Sequence, residues 1–201
     1  AKQIYEDTGG LPVLVELLAA TKPESGQDLP DISKDAVERF LQWTPDEEKR
    51  QAALLAAVPR QFNQDILFSV LGKNSVDLFS WISSQSYIRM TKERGWFYHE
   101  KVRELMLRHL RNTIPSELLA IHSNLSEYFN LAQAELDEDE KDAYKNEKWQ
   151  ALEIERIYHN LSQEEKKSIP DVLDSFLVAL RWHWRFTENI AQSMYYHSAG
   201  E

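Results

Sequence analysis

The chain has 201 residues, of which 42% are hydrophobic, and its six Trp, eight Tyr and eight Phe are too many for a disordered segment. Its formal net charge of −10 argues against an autonomous nucleic-acid-binding domain, because such binding depends on Lys and Arg neutralising phosphates. No apolar run reaches the roughly eighteen residues of a membrane span. The absence of Cys excludes disulfides and thiolate metal sites and fits a cytoplasmic location.

The chain opens with signals for a helix end, a second helix and a linker. Residues 4–7 are expected to form the last turn of a helix that Gly9 and Gly10 end. Pro12 suits the first turn of a following helix, which we expect to run to Ala20. Residues 22–30 have the composition of a linker. Apolar residues at helical spacing then predict a helix over 31–43.

Three short helices are predicted next, each starting at a capping residue: 44–58, 64–71 and 75–84. Thr44 is the expected N-cap of the first of these helices, with Pro45 in its first turn. Asn63 is expected to cap the second helix, which Gly72 closes.

The periodicity changes after residue 84. Two runs rich in aromatic and β-branched residues, 87–91 and 96–98, flank a turn that contains Gly95, and this pattern predicts a β-hairpin. A helix from His99 to Arg111 follows. Three helices, a hairpin and a further helix form the order of a winged helix, which we therefore expect over residues 31–113.

Residues 114–201 predict a helical arm. Amphipathic patterns cover 117–136 and 148–161, and a final helix is expected to start near Ser168 and to continue through Trp184. Such helix pairs are typical of the start of an α-solenoid with tetratricopeptide-like repeats, although the sequence establishes no repeat period. The expected fold class is mainly α: a winged-helix domain with a small β-hairpin, flanked by a lid helix in residues 1–30 and an α-helical, repeat-like arm.

The sequence predicts no catalytic centre and no metal site. The segment His99 to Arg103 has Arg where a zincin helix needs its second histidine. The histidines other than His99 show no paired spacing of metal ligands. A nucleophile elbow is also missing, so no residue is predicted to be catalytic.

Two short motifs, in this order, carry a family resemblance. The first is Thr8-Gly9-Gly10-Leu11-Pro12 with the apolar helix after it, and the second is Phe97-Tyr98-His99-Glu100. Together with the winged-helix pattern, they resemble the carboxy-terminal part of the nucleotide-binding module of STAND signalling NTPases, the NB-ARC and NACHT-like proteins. The resemblance covers about residues 1–112 in the order of the elements.

The resemblance implies nucleotide contacts at Gly10, Pro12 and His99. Gly10-Leu11-Pro12 looks like the Gly-x-Pro motif of the family's helical lid, in which the proline packs near the adenine base. His99 stands where family members carry the histidine of a Met-His-Asp triplet, which reaches the β-phosphate of bound ADP. Tyr98 and Glu100 depart from that triplet, and the longer acid changes the expected geometry against neighbouring loops.

The chain lacks both a Gly-x-x-x-x-Gly-Lys-Ser/Thr loop and a hydrophobic strand that ends in paired acids. We therefore expect that it is not an enzyme by itself and holds no cofactor of its own. The resemblance places ADP or ATP, with Mg²⁺, on a nucleotide-binding domain expected before Ala1. It implies a regulatory fragment that senses this nucleotide and relays the switch to oligomerisation or signalling, with protein partners or self-association through the arm.

Two other functions stay open. The first is a winged helix that binds DNA, although the expected recognition helix, 75–84, contains no Lys or Arg. The hairpin supplies Arg89, Lys92 and Arg94 as the available cations. The second is a helical scaffold that binds a protein partner through its arm without any nucleotide.

Overall fold

The computed structural model describes Pro12, Val15 and residues 33–198 except 43, 45, 73, 74 and 93. The chain divides into two compact units, Ala1–Pro115 and Ser116–Glu201, which we call the amino-terminal and carboxy-terminal units. The described residues are mainly helical with a two-stranded antiparallel sheet, so the predicted class, mainly α with a small β-hairpin, is confirmed. Among these residues, no helix has both the length and the apolar character that crossing a bilayer requires.

From residue 33 on, the amino-terminal unit contains four short helices before the hairpin: α1 (Ser33–Leu41), α2 (Glu47–Leu55), α3 (Gln64–Leu71) and α4 (Ser75–Ser83). Asn63 caps α3 as predicted, because its side-chain oxygen accepts a hydrogen bond of 2.8 Å from the Ile66 N–H. Gly72 ends that helix with a φ of 69°, a conformation that favours glycine.

The N-cap of α2 is Asp46 and not Thr44, which corrects the prediction. Asp46 is in an extended conformation, and its carboxylate accepts hydrogen bonds from two N–H groups of the first turn. The Thr44 N–H instead donates to Leu41 O at 3.0 Å and closes the end of α1. A carboxylate also interacts favourably with the positive end of the helix dipole, which a hydroxyl does not, so the aspartate takes the capping position.

The predicted hairpin is confirmed as β1 (Ile88–Thr91) and β2 (Gly95–Tyr98), which pair antiparallel. Gly95 opens β2 with a φ of 74°, which other residues rarely adopt. Phe62, between α2 and α3, adds an isolated antiparallel bridge to Trp96. The helices α2, α3 and α4 precede the hairpin in the predicted order.

An aromatic cluster holds the hairpin, and α5 (Glu100–Thr113), which follows it, packs against α1 and α2. Ring centroids of neighbours in this cluster lie 5.6–6.3 Å apart, and its members are Phe40, Phe62, Phe79, Tyr87, Trp96 and Tyr98. Arg103 Nη2 donates to Val58 O at 2.9 Å and joins α5 to the turn that follows α2. Because a hairpin alone is marginally stable in water, these contacts fix its position.

The carboxy-terminal unit contains α6 (Pro115–Ala134), α7 (Glu140–Ala143), α8 (Glu147–Trp182) and α9 (Trp184–Ser198). The start and the end of α6 each lie two residues before the predicted positions. Part of its core is one apolar cluster, which consists of Tyr144, Ile157, Leu161, Val172, Ala179, Phe186 and Ile190.

The structure has one helical segment over Glu147–Trp182, whereas the sequence predicts two separate helices in this region. Contacts within α8 nevertheless require a reversal of the chain. Arg156 Nη1 lies 2.8 Å from Asp171 Oδ2, fifteen residues later. A straight helix of that length would separate the two residues by about 22 Å.

The reversal lies between Asn160 and Ser168, because Ser168 Oγ donates to Asn160 O at 2.7 Å. The two limbs of α8, residues 147–160 and 168–182, therefore lie side by side, close to the two helices that the sequence predicts. Pro170 falls in the first turn of the second limb, where a missing N–H is tolerated.

The predicted final helix is interrupted at His183, so α8 ends at Trp182 and α9 begins at Trp184. His183 has a φ of −154° and a ψ of 84°, which are not helical. Its Nδ1 accepts a hydrogen bond from the Phe186 N–H at 3.3 Å. The sequence around His183 has no Gly or Pro to signal this break, which explains the error.

Candidate functional site

His99 lies between β2 and α5, where the chain leaves the hairpin. Its N–H donates to Tyr87 O at 2.8 Å, and its carbonyl oxygen accepts from the Arg103 N–H at 2.9 Å. His99 is therefore the N-cap residue of α5, but its imidazole makes no capping hydrogen bond. The Nδ1 atom is buried and has no hydrogen-bond partner among the described residues. A firmly held backbone thus carries an imidazole with an unused nitrogen.

The surroundings of His99 favour the neutral imidazole. Burial lowers the pKa of His99 below its usual value of 6.5, and the charge of Arg89 lowers it further, while Glu100 acts in the opposite direction. A neutral imidazole has one nitrogen that donates a hydrogen bond and one that accepts. An anion beside His99 and Arg89 would offset the charge of Arg89 and raise this pKa, so anion binding and protonation are coupled here.

The start of α5 adds further groups that suit an anion. The N–H groups in the first turn of any helix lack partners within the helix, and the helix dipole puts partial positive charge there. Arg89 is exposed on β1, directly opposite Phe97 on β2. A phosphate at this end of α5 would meet backbone donors, a cation and an imidazole that can donate. These groups fit phosphate binding.

The three residues predicted to contact nucleotide differ in how far the structure describes them. Gly10 lies outside the described residues. Pro12 is helical and exposed, as is Val15 one turn later. His99 occupies the predicted junction between the hairpin and the next helix. The nucleotide contacts of Gly10, Pro12 and His99 therefore stay predictions.

The carboxy-terminal unit contains a cluster that the sequence does not predict. It lies between α6 and the first limb of α8, and we call it the polar seam; it consists of His122, Ser126, Gln133, Glu153, Arg156, His159 and Asn160. His122 and His159 are only 4% and 0% exposed, and their Nδ1 atoms lie 2.8 Å apart. One Nδ1 must donate and the other accept, because two N–H groups cannot face each other at this distance. Phe129 stacks on His159 with ring centroids 5.7 Å apart.

At the other end of the polar seam, Arg156 pairs with the buried carboxylate of Glu153. The Arg156 Nε and Nη2 atoms each donate to one Glu153 oxygen at 2.8 Å. Glu153 also accepts from Gln133 on α6 and from Ser175 on the second limb. Burial alone would lower the pKa of Arg156, but the hydrogen bonds and charges of Glu153 and Asp171 raise it. This network joins α6 to both limbs of α8.

Spacing along the sequence could not reveal the histidine pair, because its members are 37 residues apart and meet only when α6 packs on α8. The sequence feature that could have indicated a buried histidine is the helical position of His122, which shares the buried face of α6 with Leu118 and Leu125. A polar residue in that phase indicates a buried polar contact. Among the described residues, no group of three or more His, Cys, Asp or Glu could hold a metal ion.

Comparison with known proteins adds no family assignment. No protein-family model matches the chain. Neither a curated protein nor a solved structure matches it. The function of the chain is therefore inferred from its own residues and their geometry.

Proposed function

We propose that the chain is a non-catalytic regulatory part of a STAND NTPase. It senses ADP or ATP on a P-loop domain elsewhere in the parent protein and relays the switch to oligomerisation or signalling. The observation that carries this proposal is His99, whose imidazole makes no capping hydrogen bond at the start of α5 and feels the charge of Arg89. A cytoplasmic location accompanies the proposal.

In this proposal the imidazole of His99 donates a hydrogen bond to the β-phosphate of ADP. Arg89 and the first turn of α5 add favourable electrostatics. The P-loop domain would hold Mg²⁺ and the remaining phosphates, and Gly10 and Pro12 would lie near the base. ATP would alter the hydrogen bond between His99 and the β-phosphate. Because ADP and ATP would then bind the two conformations of the parent protein with different affinities, exchange of one for the other would shift the equilibrium between them.

The test compares ADP release from the full-length parent protein and from its His99→Ala variant. A hydrogen bond to a charged group contributes about 1.5–3 kcal/mol, so we expect ADP to dissociate at least about tenfold faster from the variant. His109→Ala is the matched control, since His109 also lies on α5 but far from its first turn. Equal dissociation rates for His99→Ala and wild type would contradict the proposal.

DNA binding is a second candidate, because the hairpin carries exposed Arg89, Lys92 and Arg94. The Arg94 guanidinium lies 4.5 Å from the centre of the Phe97 ring. Against this candidate, the described exposed residues of α4 include Asp77 and the apolar Val76, which suit neither phosphate nor guanine. A gel shift that weakens with salt and disappears in Arg89→Ala would favour DNA binding.

Protein binding through the carboxy-terminal unit is a third candidate. Leu173, Leu177 and Leu180 recur at helical spacing on the second limb of α8 and are 44–60% exposed. Trp184 follows them and is 62% exposed. Exposed apolar side chains in such a row are typical of an interaction surface. If this surface mediates self-association, Leu177→Lys should shift the chain toward monomer in sedimentation velocity. Glu127→Lys, at an exposed position on α6, is the control and should leave the sedimentation unchanged.

A further inference from the structure

The contact between His122 and His159 has a consequence for acid conditions. Each neutral imidazole carries one proton, and a single Nδ1–H donates to the other Nδ1 across 2.8 Å. One added proton can be held, because an imidazolium still donates to a neutral partner. A second added proton puts an N–H on both Nδ1 atoms, and the contact then becomes repulsive. The two rings together can therefore accept only one extra proton without moving apart.

We propose that the His122–His159 pair makes the packing of α6 on α8 sensitive to pH, so that acidification separates α6 from the first limb. Imidazole in water takes up its proton near pH 6.5, so both rings of a separated pair are almost fully protonated at about pH 5. The packed pair binds at least one proton fewer. Acid therefore favours the separated state, and the equilibrium constant for opening rises about tenfold per pH unit for each extra proton bound.

The charged groups around the pair set the pH at which the two histidines separate. On α8, Glu155 is buried and lies one helical turn before His159. Arg156 lies on the same limb, but Glu153 and Asp171 engage its guanidinium. On α6, the nearest charged residues along the helix are Glu117 and Glu127, both exposed and therefore screened by solvent.

Two aromatic rings confine the pair. The Tyr158 ring centroid lies 4.9 Å from that of His159 and 6.1 Å from that of His122, and Phe129 stacks on His159. A doubly charged pair in these surroundings is poorly solvated, so movement of α6 away from α8 exposes the rings to water and is favoured. The neighbouring contact between Ser126 and Asn160 would open with them.

The first measurement uses the wild-type chain of 201 residues. Long-range ¹H–¹⁵N NMR of the imidazoles at pH 7.5 reports which ring nitrogens carry protons. We expect one of His122 and His159 to carry its proton on Nδ1 and the other on Nε2. If both rings carry the proton on Nε2, or both are imidazolium at pH 7.5, the proposal is overturned. This measurement needs no variant and so does not depend on how a variant folds.

The second measurement follows backbone hydrogen exchange in α6 at pH 7.5 and pH 5, corrected for the intrinsic exchange rates. We expect protection in wild type to fall at least about tenfold between the two pH values, and His122→Gln to remove this fall, because glutamine can donate to His159 without titrating. His109→Gln on α5 is the control and should behave as wild type. Protection that persists at pH 5 in wild type, or falls equally in His122→Gln, would overturn the proposal.

Discussion

The hydroxyl of Tyr98 donates a hydrogen bond of 2.6 Å to the carbonyl oxygen of Ala53, forty-five residues earlier in the chain. Tyr98 is the last residue of β2, and Ala53 lies inside α2. Both residues are buried. This bond therefore fixes the hairpin on the helices at the point where the chain turns into His99.

Tyr98→Phe should destabilise the amino-terminal unit. The substitution leaves the ring packing intact but removes the partner of a buried carbonyl group, which costs about 1–3 kcal/mol in the free energy of unfolding. Urea unfolding followed by tryptophan fluorescence measures the change. Tyr195→Phe is the matched control, because Tyr195 is 68% exposed and its loss of a hydroxyl should change stability by less than about 0.5 kcal/mol. Equal effects would show that the bond to Ala53 contributes nothing.

Arg156→Met should strongly destabilise the carboxy-terminal unit, because it leaves the buried carboxylate of Glu153 without its cation. Removing one partner of a buried ion pair costs about 3–5 kcal/mol. Adding Glu153→Gln in the same chain should recover part of this loss, since the amide carries no charge. The change is measured as the urea midpoint of the unfolding transition.

The control for Arg156→Met is Lys145→Met, which breaks an exposed ion pair with Asp142 of 3.3 Å. Such pairs contribute about 1 kcal/mol or less. A loss for Arg156→Met no larger than that for Lys145→Met would mean that the polar seam does not hold the limbs of α8 together.

Asn63→Ala should weaken α3 by about 1 kcal/mol, because the Ile66 N–H loses its capping partner. Asn63→Asp keeps a side-chain oxygen in the same place and should retain most of the stability. Thermal unfolding of wild type, Asn63→Ala and Asn63→Asp measures the difference in stability. If Asn63→Asp lost as much as Asn63→Ala, the hydrogen bond to Ile66 would not be the source of the effect.

His99 should make the amino-terminal unit less stable in mild acid. Its pKa is lowered in the folded chain, first by burial and then by Arg89, so the unfolded chain binds the proton more readily. The contribution of His99 is therefore complete above the unfolded pKa of about 6.5 and is lost as the pH falls from there toward the lower folded pKa. Urea unfolding at several pH values between 5 and 7.5 should show a smaller pH dependence in His99→Gln than in wild type.

Inorganic pyrophosphate provides the complementary measurement on His99. An anion near Arg89 should raise the pKa of His99, and NMR titration of the imidazole follows it directly. His109 serves as the internal reference in the same spectra. A pKa of His99 that pyrophosphate leaves unchanged would argue against phosphate binding at the start of α5.

Local signals predicted the fold well where one residue decides the structure. Asn63 and Gly72 bound α3 because a side-chain cap and a positive φ are properties of single residues. The hairpin followed from aromatic runs around Gly95. The prediction failed at Thr44, where two good capping residues compete and Asp46 makes the bonds. It also failed at His183, which breaks the helix without a local signal.

The polar seam could not be predicted in the same way. His122 and His159 form one contact only through the packing of two helices, and Arg156 meets Asp171 only because α8 reverses. Both contacts depend on the tertiary arrangement, which periodicity does not specify. His99, in contrast, could be placed from the sequence because the end of the hairpin and the start of α5 are local features.

The most direct test of the proposed function is the nucleotide content of the full-length parent protein, purified without added nucleotide. The nucleotide is released by heat and identified by chromatography. The coding sequence upstream of Ala1 is searched for a P-loop motif. Nucleotide sensing through His99 predicts stoichiometric ADP in wild type, a P-loop upstream, and reduced ADP in His99→Ala but not in His109→Ala. A parent protein without a P-loop and without bound nucleotide would contradict the proposal.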